Sequence, residues 1–253
     1  MHANASVDEI AVFLDGLLNA EKFRQHEPEA NGLVFRAGAG VSKFAAAVNT
    51  SLTTIVGAAK TGANLMIVHH TTWANIDRHL HEEKMAALAA AGVSLYAAHH
   101  SLDCAPEFGN GWTLARLIGA EVETTFGELD GGQAGVIATR AGAFEDLVRV
   151  ASQQLGVQVE AHQHAKTANR IAVITGAGGM TNWMDEARQL GADTYFTGEG
   201  SMYTRMFARE TGMNLIFGTH HATEAPGIRA LAARLEAEAA IPWEFIADSA
   251  DVF

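Results

Sequence analysis

The feature of this sequence that most constrains its fold is a pattern that occurs twice along the chain. In the first half, Gly62-Ala63-Asn64 precedes an apolar segment that ends at His69-His70. In the second half, Gly191-Ala192-Asp193 precedes an apolar segment that ends at Gly198-Glu199. Because strand-length segments recur at a matching place in each half, the sequence predicts two related structural units.

In each half, a second apolar segment follows the first one, and these two second segments also match each other. Residues 92–96 lead to His99-His100, and residues 212–216 lead to His220-His221. Helical hydrophobic patterns fill much of the sequence between these apolar segments. This alternation predicts an α/β fold made of duplicated α/β units with mixed sheets.

The predicted units are separated by a stretch that does not follow the repeated pattern. We expect a first α/β half at residues 1–120, a small α/β insertion at 121–166, and a second α/β half at 167–253 that packs with the first as one unit. A glycine-rich turn at residues 176–179 belongs to the second half. Its sequence fits either a simple tight turn or a backbone cradle for phosphate.

The composition is that of a globular protein. Hydrophobic residues make up 48% of the 253 residues, and no apolar run reaches the length of about 18 residues typical of a membrane-spanning helix. A single cysteine, Cys104, and the lack of a signal-peptide pattern predict a cytoplasmic protein. The formal net charge of −12 disfavours nucleic-acid partners, since an acidic chain repels phosphate backbones.

Four predicted strands end in side chains of the types that bind metals. These side chains belong to His69-His70, to His99-His100 with Asp103, to Glu199, and to His220-His221 with Glu224. In open α/β sheets, ligands bind outside the carboxyl ends of the strands, so we expect these residues to line a binding site. The four-residue spacings of His99 to Asp103 and of His220 to Glu224 place each pair on one face if the chain is helical there.

Neutral imidazoles and carboxylates are the ligands that zinc, iron and manganese accept in proteins. A single histidine doublet is more simply an accident of composition, but three doublets after apolar strands favour metal binding. The candidates outnumber the ligands of one tetrahedral ion, and carboxylates can bridge two ions. The sequence therefore predicts a site for two divalent metal ions (Zn, Fe or Mn) and leaves their identity open.

These residues make the chain similar to the YbgI-like family of dinuclear metal centre proteins, also called the NGG-interacting-factor-like family. The similarity lies in segments that follow the family's order: Asn31-Gly32-Leu33, Ile67-Val68-His69-His70, residues 95–103, Thr197-Gly198-Glu199 and residues 218–224. The resemblance implies two related α/β halves, assembled as a toroidal homohexamer with its metal pairs facing an internal cavity. It also implies metal ligands at the following positions: His69, His70, Asp103, His220 and Glu224.

The resemblance further implies an activity, because family members are described as homologs of GTP cyclohydrolase type 2. It implies a metal-dependent hydrolase that acts on a small, nucleotide-like substrate, with His99 as a general base or extra ligand. Glu199 is a second candidate for proton transfer. The alternatives are a non-catalytic metal-binding ring that serves as a scaffold or binds a partner, and a protein that stores or delivers metal. The sequence does not decide among these functions.

Overall fold

The computed structural model describes residues 5–248 of the chain. These residues form two compact units: unit 1 comprises residues 5–105 and 228–248, and unit 2 comprises residues 106–227. Each unit contains one β-sheet with parallel and antiparallel strand pairs, together with α-helices. The predicted α/β fold with mixed sheets is confirmed.

Unit 1 is built on a five-stranded sheet with the strand order β1-β4-β3-β2-β11. Its strands are β1 (Asn31–Phe35), β2 (Phe44–Asn49), β3 (Leu65–His70), β4 (Ser94–Ala98) and β11 (Trp243–Phe245). The helices that lie wholly in unit 1 are α1 (Val7–Leu18), α2 (Ala20–Arg24), α3 (Leu52–Thr61), α4 (Ala74–Asp77), α5 (His79–Ala91) and α6 (His100–Asp103). Only β1 runs antiparallel to its neighbour; the other strand pairs in this sheet are parallel.

Local sequence signals explain where several helices of unit 1 begin and end. The Ser6 side chain accepts a hydrogen bond from the backbone N–H of Glu9, and the Glu9 carboxylate accepts one from the backbone N–H of Ser6, so this capping box starts α1. Ser51 caps α3 in the same way, and Gly62 ends that helix in the left-handed conformation at φ +81°. Strands β2, β3 and β4 bury residues on both faces, as expected for parallel strands covered by helices.

Unit 2 is built on a six-stranded sheet with the order β5-β6-β8-β9-β10-β7. Its strands are β5 (Glu121–Leu129), β6 (Gly132–Thr139), β7 (Glu160–His162), β8 (Arg170–Val173), β9 (Thr194–Thr197) and β10 (Asn214–Phe217). Its helices are α7 (Asn110–Leu117), α8 (Phe144–Leu155), α9 (Thr181–Gln189) and α10 (Met202–Thr211). The chain then enters α11 (His220–Ala239), which contains the boundary between the units at residues 227 and 228.

Both units contain the same arrangement of four strands. In unit 1, parallel strands β2, β3 and β4 are joined by helices, and the earlier strand β1 pairs antiparallel with β4. In unit 2, parallel strands β8, β9 and β10 are joined by helices, and the earlier strand β7 pairs antiparallel with β10. The matched segments of the sequence therefore correspond to matched strands: β3 to β9, and β4 to β10.

The boundaries of the units differ from those expected from the sequence. The stretch at 121–166 is not separate from the second half, because β6 pairs with β8 and β7 pairs with β10 in one sheet. Side chains of α8 also belong to the same apolar core as β8, β9 and β10. The C-terminal segment of the expected second half, in turn, contributes β11 to the sheet of unit 1 through pairing with β2. Both differences arise from strand pairing between distant segments, which local hydrophobic patterns do not encode.

Within residues 5–248, the structure contains no helix that is both long enough and apolar enough to cross a membrane.

Candidate metal centre

The first group of candidate ligands lies at the end of β3 in unit 1. His69 and His70 are the last two residues of this strand, and their ring centroids are 4.6 Å apart. His69 is fully buried, whereas His70 is partly exposed. Neighbouring residues in a strand usually point to opposite faces, so the short distance between the rings depends on the strand ending here. The two imidazoles of the doublet therefore lie side by side at the end of β3.

Hydrogen bonds to carbonyl oxygens fix which nitrogen of each imidazole carries a proton. The His69 Nδ1 lies 2.8 Å from the backbone oxygen of Ala98, and the His70 Nδ1 lies 2.8 Å from the Asn49 Oδ1. A carbonyl oxygen can only accept, so Nδ1 is the donor in both rings and Nε2 has the lone pair. An imidazole oriented in this manner by its other nitrogen is typical of metal ligands.

Asp103 and His99 complete this group, which we call the first donor set (His69, His70, His99 and Asp103). The chain becomes helical after β4, and the backbone N–H of Asp103 donates to the His99 carbonyl over 3.1 Å. This helical turn places Asp103 Oδ1 3.7 Å from His69 Nε2. The His99 ring centroid lies 5.0 Å from that of His69 and 5.3 Å from that of Trp73, which forms an aromatic wall.

The second group of candidate ligands lies in unit 2 and consists of Glu199, His220 and Glu224; we call it the second donor set. His220 is the first residue of α11, and its Nε2 is 3.1 Å from Glu224 Oε1, one helical turn later. The Nδ1 of the same ring is 2.8 Å from Glu199 Oε1, which follows β9. The helical spacing predicted for His220 and Glu224 is confirmed. One imidazole therefore lies between two carboxylates.

The two carboxylates determine the protonation of His220. Burial by itself would lower the pKa of His220, but the hydrogen bonds and negative charges of Glu224 and Glu199 outweigh it and raise the pKa to about 9. Glu224 is only 3% exposed. A buried carboxylate needs a positively charged partner, and for Glu224 this partner is the His220 imidazolium. A metal cation can take the place of the imidazolium proton. The chemistry of this donor set therefore fits a divalent metal ion.

A turn after β8 holds the second donor set in place through its backbone. Gly176 has φ +57°, and a side-chain carbon added there would overlap Glu224 Oε1 and come within 3.0 Å of His220 Nε2. The backbone N–H of Gly176 donates to the buried Thr223 Oγ1 over 3.1 Å. Gly198 is equally confined, since an added carbon there would be 2.9 Å from the His220 Cα. The glycine-rich turn thus brings the backbone close to two candidate ligands.

An open cavity of about 650 Å³ lies beside Glu199 in unit 2. Its wall is formed in part by the following residues: Gly179, Met180, Asn182, Glu199, Ser201 and Tyr203. The lining thus combines an apolar surface from Met180 and Tyr203 with polar groups and one carboxylate, as small-molecule sites often do. Because Glu199 also contacts His220, the cavity adjoins the second donor set.

The structure places the predicted site residues in two groups, one in each unit. Unit 1 brings together His69, His70, His99 and Asp103, and unit 2 brings together Glu199, His220 and Glu224. Sequence reasoning missed Asn49, which orients His70, because it did not predict β2. The glycine-rich turn that contains Gly176 was predicted from the sequence, but the close approach of this turn to Glu224 was not. The clustered glycines were the only sequence signal of that approach.

Comparison with known proteins places the chain in a family. Residues 5–251 match the Duf34/NIF3 (NGG1p interacting factor 3) family, and the chain belongs to this family. A relative from Deinococcus radiodurans, named GTP cyclohydrolase 1 type 2 homolog, is 34% identical over 235 residues, which cover 87% of this chain and 85% of the relative. A relative of the same name from Pyrococcus horikoshii is 32% identical over 250 residues, covering 94% and 96%.

Solved structures agree with this assignment. The structure of a protein called ybgI, described as of unknown function, has a TM-score of 0.84 and 28% identity and covers 96% of this chain and 98% of its own. Reduced HcgD from Methanocaldococcus jannaschii has a TM-score of 0.79 at 22% identity, covering 96% and 98%, and has the same fold. The predicted resemblance to YbgI-like proteins is confirmed.

Proposed function

We propose that the chain binds two divalent metal ions through the five residues that the resemblance implies, and that it is a metal-dependent hydrolase acting on a small, nucleotide-like substrate. The five ligands are His69, His70, Asp103, His220 and Glu224. The name GTP cyclohydrolase 1 type 2 homolog, which the relatives from Deinococcus radiodurans and Pyrococcus horikoshii have, supports the type of substrate.

The observation that carries this proposal is the orientation of the imidazoles. Ala98 and Asn49 accept from Nδ1 of His69 and His70, and Glu199 is hydrogen-bonded to Nδ1 of His220. The Nε2 of His69 then lies 3.7 Å from Asp103 Oδ1, and the Nε2 of His220 lies 3.1 Å from Glu224 Oε1. Histidines that are only surface groups do not need such partners on their second nitrogen.

The remaining residues of the two donor sets have roles in binding and proton transfer. A divalent ion held by these ligands would supply Lewis-acid polarisation of a substrate oxygen and would lower the pKa of water toward 7. Glu199 holds the Nδ1 proton of His220 and forms part of the cavity wall, so its carboxylate is placed to accept a proton from a molecule bound there. In unit 1, His99 is the corresponding candidate base. Met180 and Tyr203 offer an apolar surface to the planar part of a substrate.

The test is an assay of the metal-loaded protein against GTP, other phosphoesters and cyclic amides. We expect turnover of at least one of these compounds, and its loss in Asp103→Asn and Glu224→Gln, which keep the side-chain size but remove the negative charge. His79→Asn is the matched control, because His79 is exposed and belongs to neither donor set. Metal content is measured in every variant, so that metal binding and catalysis are judged separately.

Two results would contradict the proposal. If Asp103→Asn retains the metal content and the activity of the unaltered protein on every substrate, Asp103 is not a ligand. If metal-loaded protein hydrolyses none of the compounds while Asp103→Asn and Glu224→Gln lose metal, the chain binds metal without this activity. The second result would favour the scaffold or storage functions.

A further inference from the structure

A second cluster of metal-binding side chains lies in unit 1 and consists of three residues outside the five proposed ligands. Glu27 follows α2, and His99 and His100 follow β4. The Glu27 Oε2 is 2.8 Å from His99 Nδ1 and 3.2 Å from His100 Nδ1. The three side chains are half-buried, with exposed fractions of 25%, 18% and 20%. One carboxylate oxygen thus faces the same nitrogen of two adjacent imidazoles.

The backbone explains how two successive histidines face one carboxylate. The chain leaves β4 at Ala98, and His99 takes φ −85° and ψ −107° as the residue before α6. This turn removes the alternation of a strand, so the rings of His99 and His100 stack with centroids 4.3 Å apart and an interplanar angle of 24°. On the other side, the backbone N–H of Glu27 donates to the Phe23 carbonyl over 2.9 Å, which anchors the acidic residue to α2.

The distances agree with those between ligands of a single ion. Nitrogen and oxygen ligands at about 2.0–2.2 Å from a metal, at tetrahedral or octahedral angles, are separated from one another by roughly 2.8–3.6 Å. The oxygen–nitrogen distances of 2.8 and 3.2 Å lie in this range. The distance of 3.1 Å between His220 Nε2 and Glu224 Oε1 in unit 2 is similar.

The charge of the cluster also suits a cation. The carboxylate of Glu27 supplies one negatively charged oxygen that lies within 3.2 Å of both Nδ1 atoms. Two imidazoles and one carboxylate form a ligand set that first-row transition metals occupy with further positions open to water.

We propose that Glu27, His99 and His100 form an accessory site for one divalent transition-metal ion, such as Zn²⁺ or Fe²⁺, in unit 1. An ion there connects the segment after α2 to the turn between β4 and α6. It also holds His99, whose ring centroid lies 5.0 Å from His69 and 5.5 Å from His70, by its Nδ1 nitrogen. The site depends on these three residues and not on the proposed hydrolase activity.

The competing explanation is a network of hydrogen bonds, in which Glu27 accepts from the Nδ1–H groups of both histidines and no ion binds. The experiment that separates the two is a titration of chelator-treated, metal-free protein with Zn²⁺ in competition with a chromophoric chelator. Elemental analysis after removal of excess metal gives the number of ions retained. Both measurements count ions and need no substrate.

We expect the unaltered protein to bind one Zn²⁺ per chain more than His100→Asn and Glu27→Gln. The control variant His79→Asn replaces an exposed histidine in the same unit and binds as many ions as the unaltered protein. Circular dichroism and thermal melting verify that each variant is folded, and Glu27→Gln preserves the size of the side chain should His100→Asn fail to fold. Repeating the titration with Co²⁺ adds a visible absorption that the same two variants reduce.

The accessory site is tested separately from the proposed metal pair by introducing His100→Asn into Asp103→Asn. If the accessory site exists, the double variant binds one ion fewer than Asp103→Asn alone, whatever that single variant does to the other ligands. If His100→Asn and Glu27→Gln each bind as many ions as the unaltered protein, the cluster is a hydrogen-bond network and the proposal is wrong.

Discussion

The two donor sets differ in charge although they occupy matching strand ends of related units. The first, in unit 1, has three imidazoles and one carboxylate, and carbonyl oxygens orient His69 and His70. The second, in unit 2, has one imidazole between the carboxylates of Glu199 and Glu224. Duplication has therefore preserved the position of the ligands but not their chemistry. The first set offers neutral nitrogen donors, whereas the second offers negative charge that a proton balances in the metal-free chain.

The largest expected effect is the loss of a carboxylate ligand from either set. Asp103→Asn and Glu224→Gln should each lower Zn²⁺ affinity by more than about 100-fold, which is the upper end of the effect of residues that only orient a ligand. Competition titration measures these affinities, with His79→Asn as the control. An affinity within a few-fold of the unaltered protein in either variant would remove that carboxylate from the ligand set.

A backbone substitution tests whether the second set depends on the turn after β8. Gly176→Ala places a methyl group against Glu224 Oε1, so we expect Zn²⁺ affinity to fall by about 10- to 100-fold, as for displaced orienting groups. Gly212→Ala is the matched control: its φ is +73°, but no atom lies within 4 Å of the added carbon. Both variants lose about 1–2 kcal/mol of stability from the left-handed conformation. Equal metal affinity in the two variants would show that the turn does not position Glu224.

The residues that orient the imidazoles should differ between the sets. Glu199→Gln removes a charged partner of His220 and is expected to weaken Zn²⁺ binding about 10- to 100-fold. Asn49→Ser removes a neutral partner of His70, and because neutral hydrogen bonds are about half as strong as charged ones, its effect should be smaller. The same titration compares the two. A larger loss of Zn²⁺ affinity in Asn49→Ser than in Glu199→Gln would contradict the expectation that the charged partner contributes more.

The smallest expected effect is a change in the number of protons that the protein releases when Zn²⁺ binds. Because the pKa of His220 is raised to about 9, this imidazole is protonated at neutral pH in the metal-free chain, and a metal ion must displace the proton. Zinc binding should therefore weaken as the pH falls and should release fewer protons in Glu199→Gln than in the unaltered protein. Calorimetry at pH 7 in two buffers of different ionisation enthalpy counts these protons. Equal proton release in both proteins would contradict the role of Glu199.

The sequence predicted those parts of the fold that depend on local patterns. Its apolar segments became β3, β4, β9 and β10. It did not predict β2, because the alanine-rich segment Phe44–Asn49 resembles a helix former and is a strand only through pairing with β3. The return of β11 to the first sheet likewise depends on a partner far away in the sequence.

The same distinction applies to the site. The four-residue spacing predicted that His220 and Glu224 share one face if the chain is helical there, and α11 brings the two side chains into contact. The contact between Glu27 and the His99-His100 doublet joins segments separated by the whole of β1 to β4, and no local pattern indicates it. Local sequence patterns therefore do not identify the residues that orient the candidate ligands.

The most direct test of the proposed metal ligands is anomalous X-ray scattering from crystals of metal-loaded protein, collected above and below the absorption edge of the metal. We expect peaks about 2.0–2.2 Å from ligand atoms of His69, His70 and Asp103 and from ligand atoms of His220 and Glu224. Metal-loaded crystals that show no anomalous peak at either group of ligands would contradict this expectation.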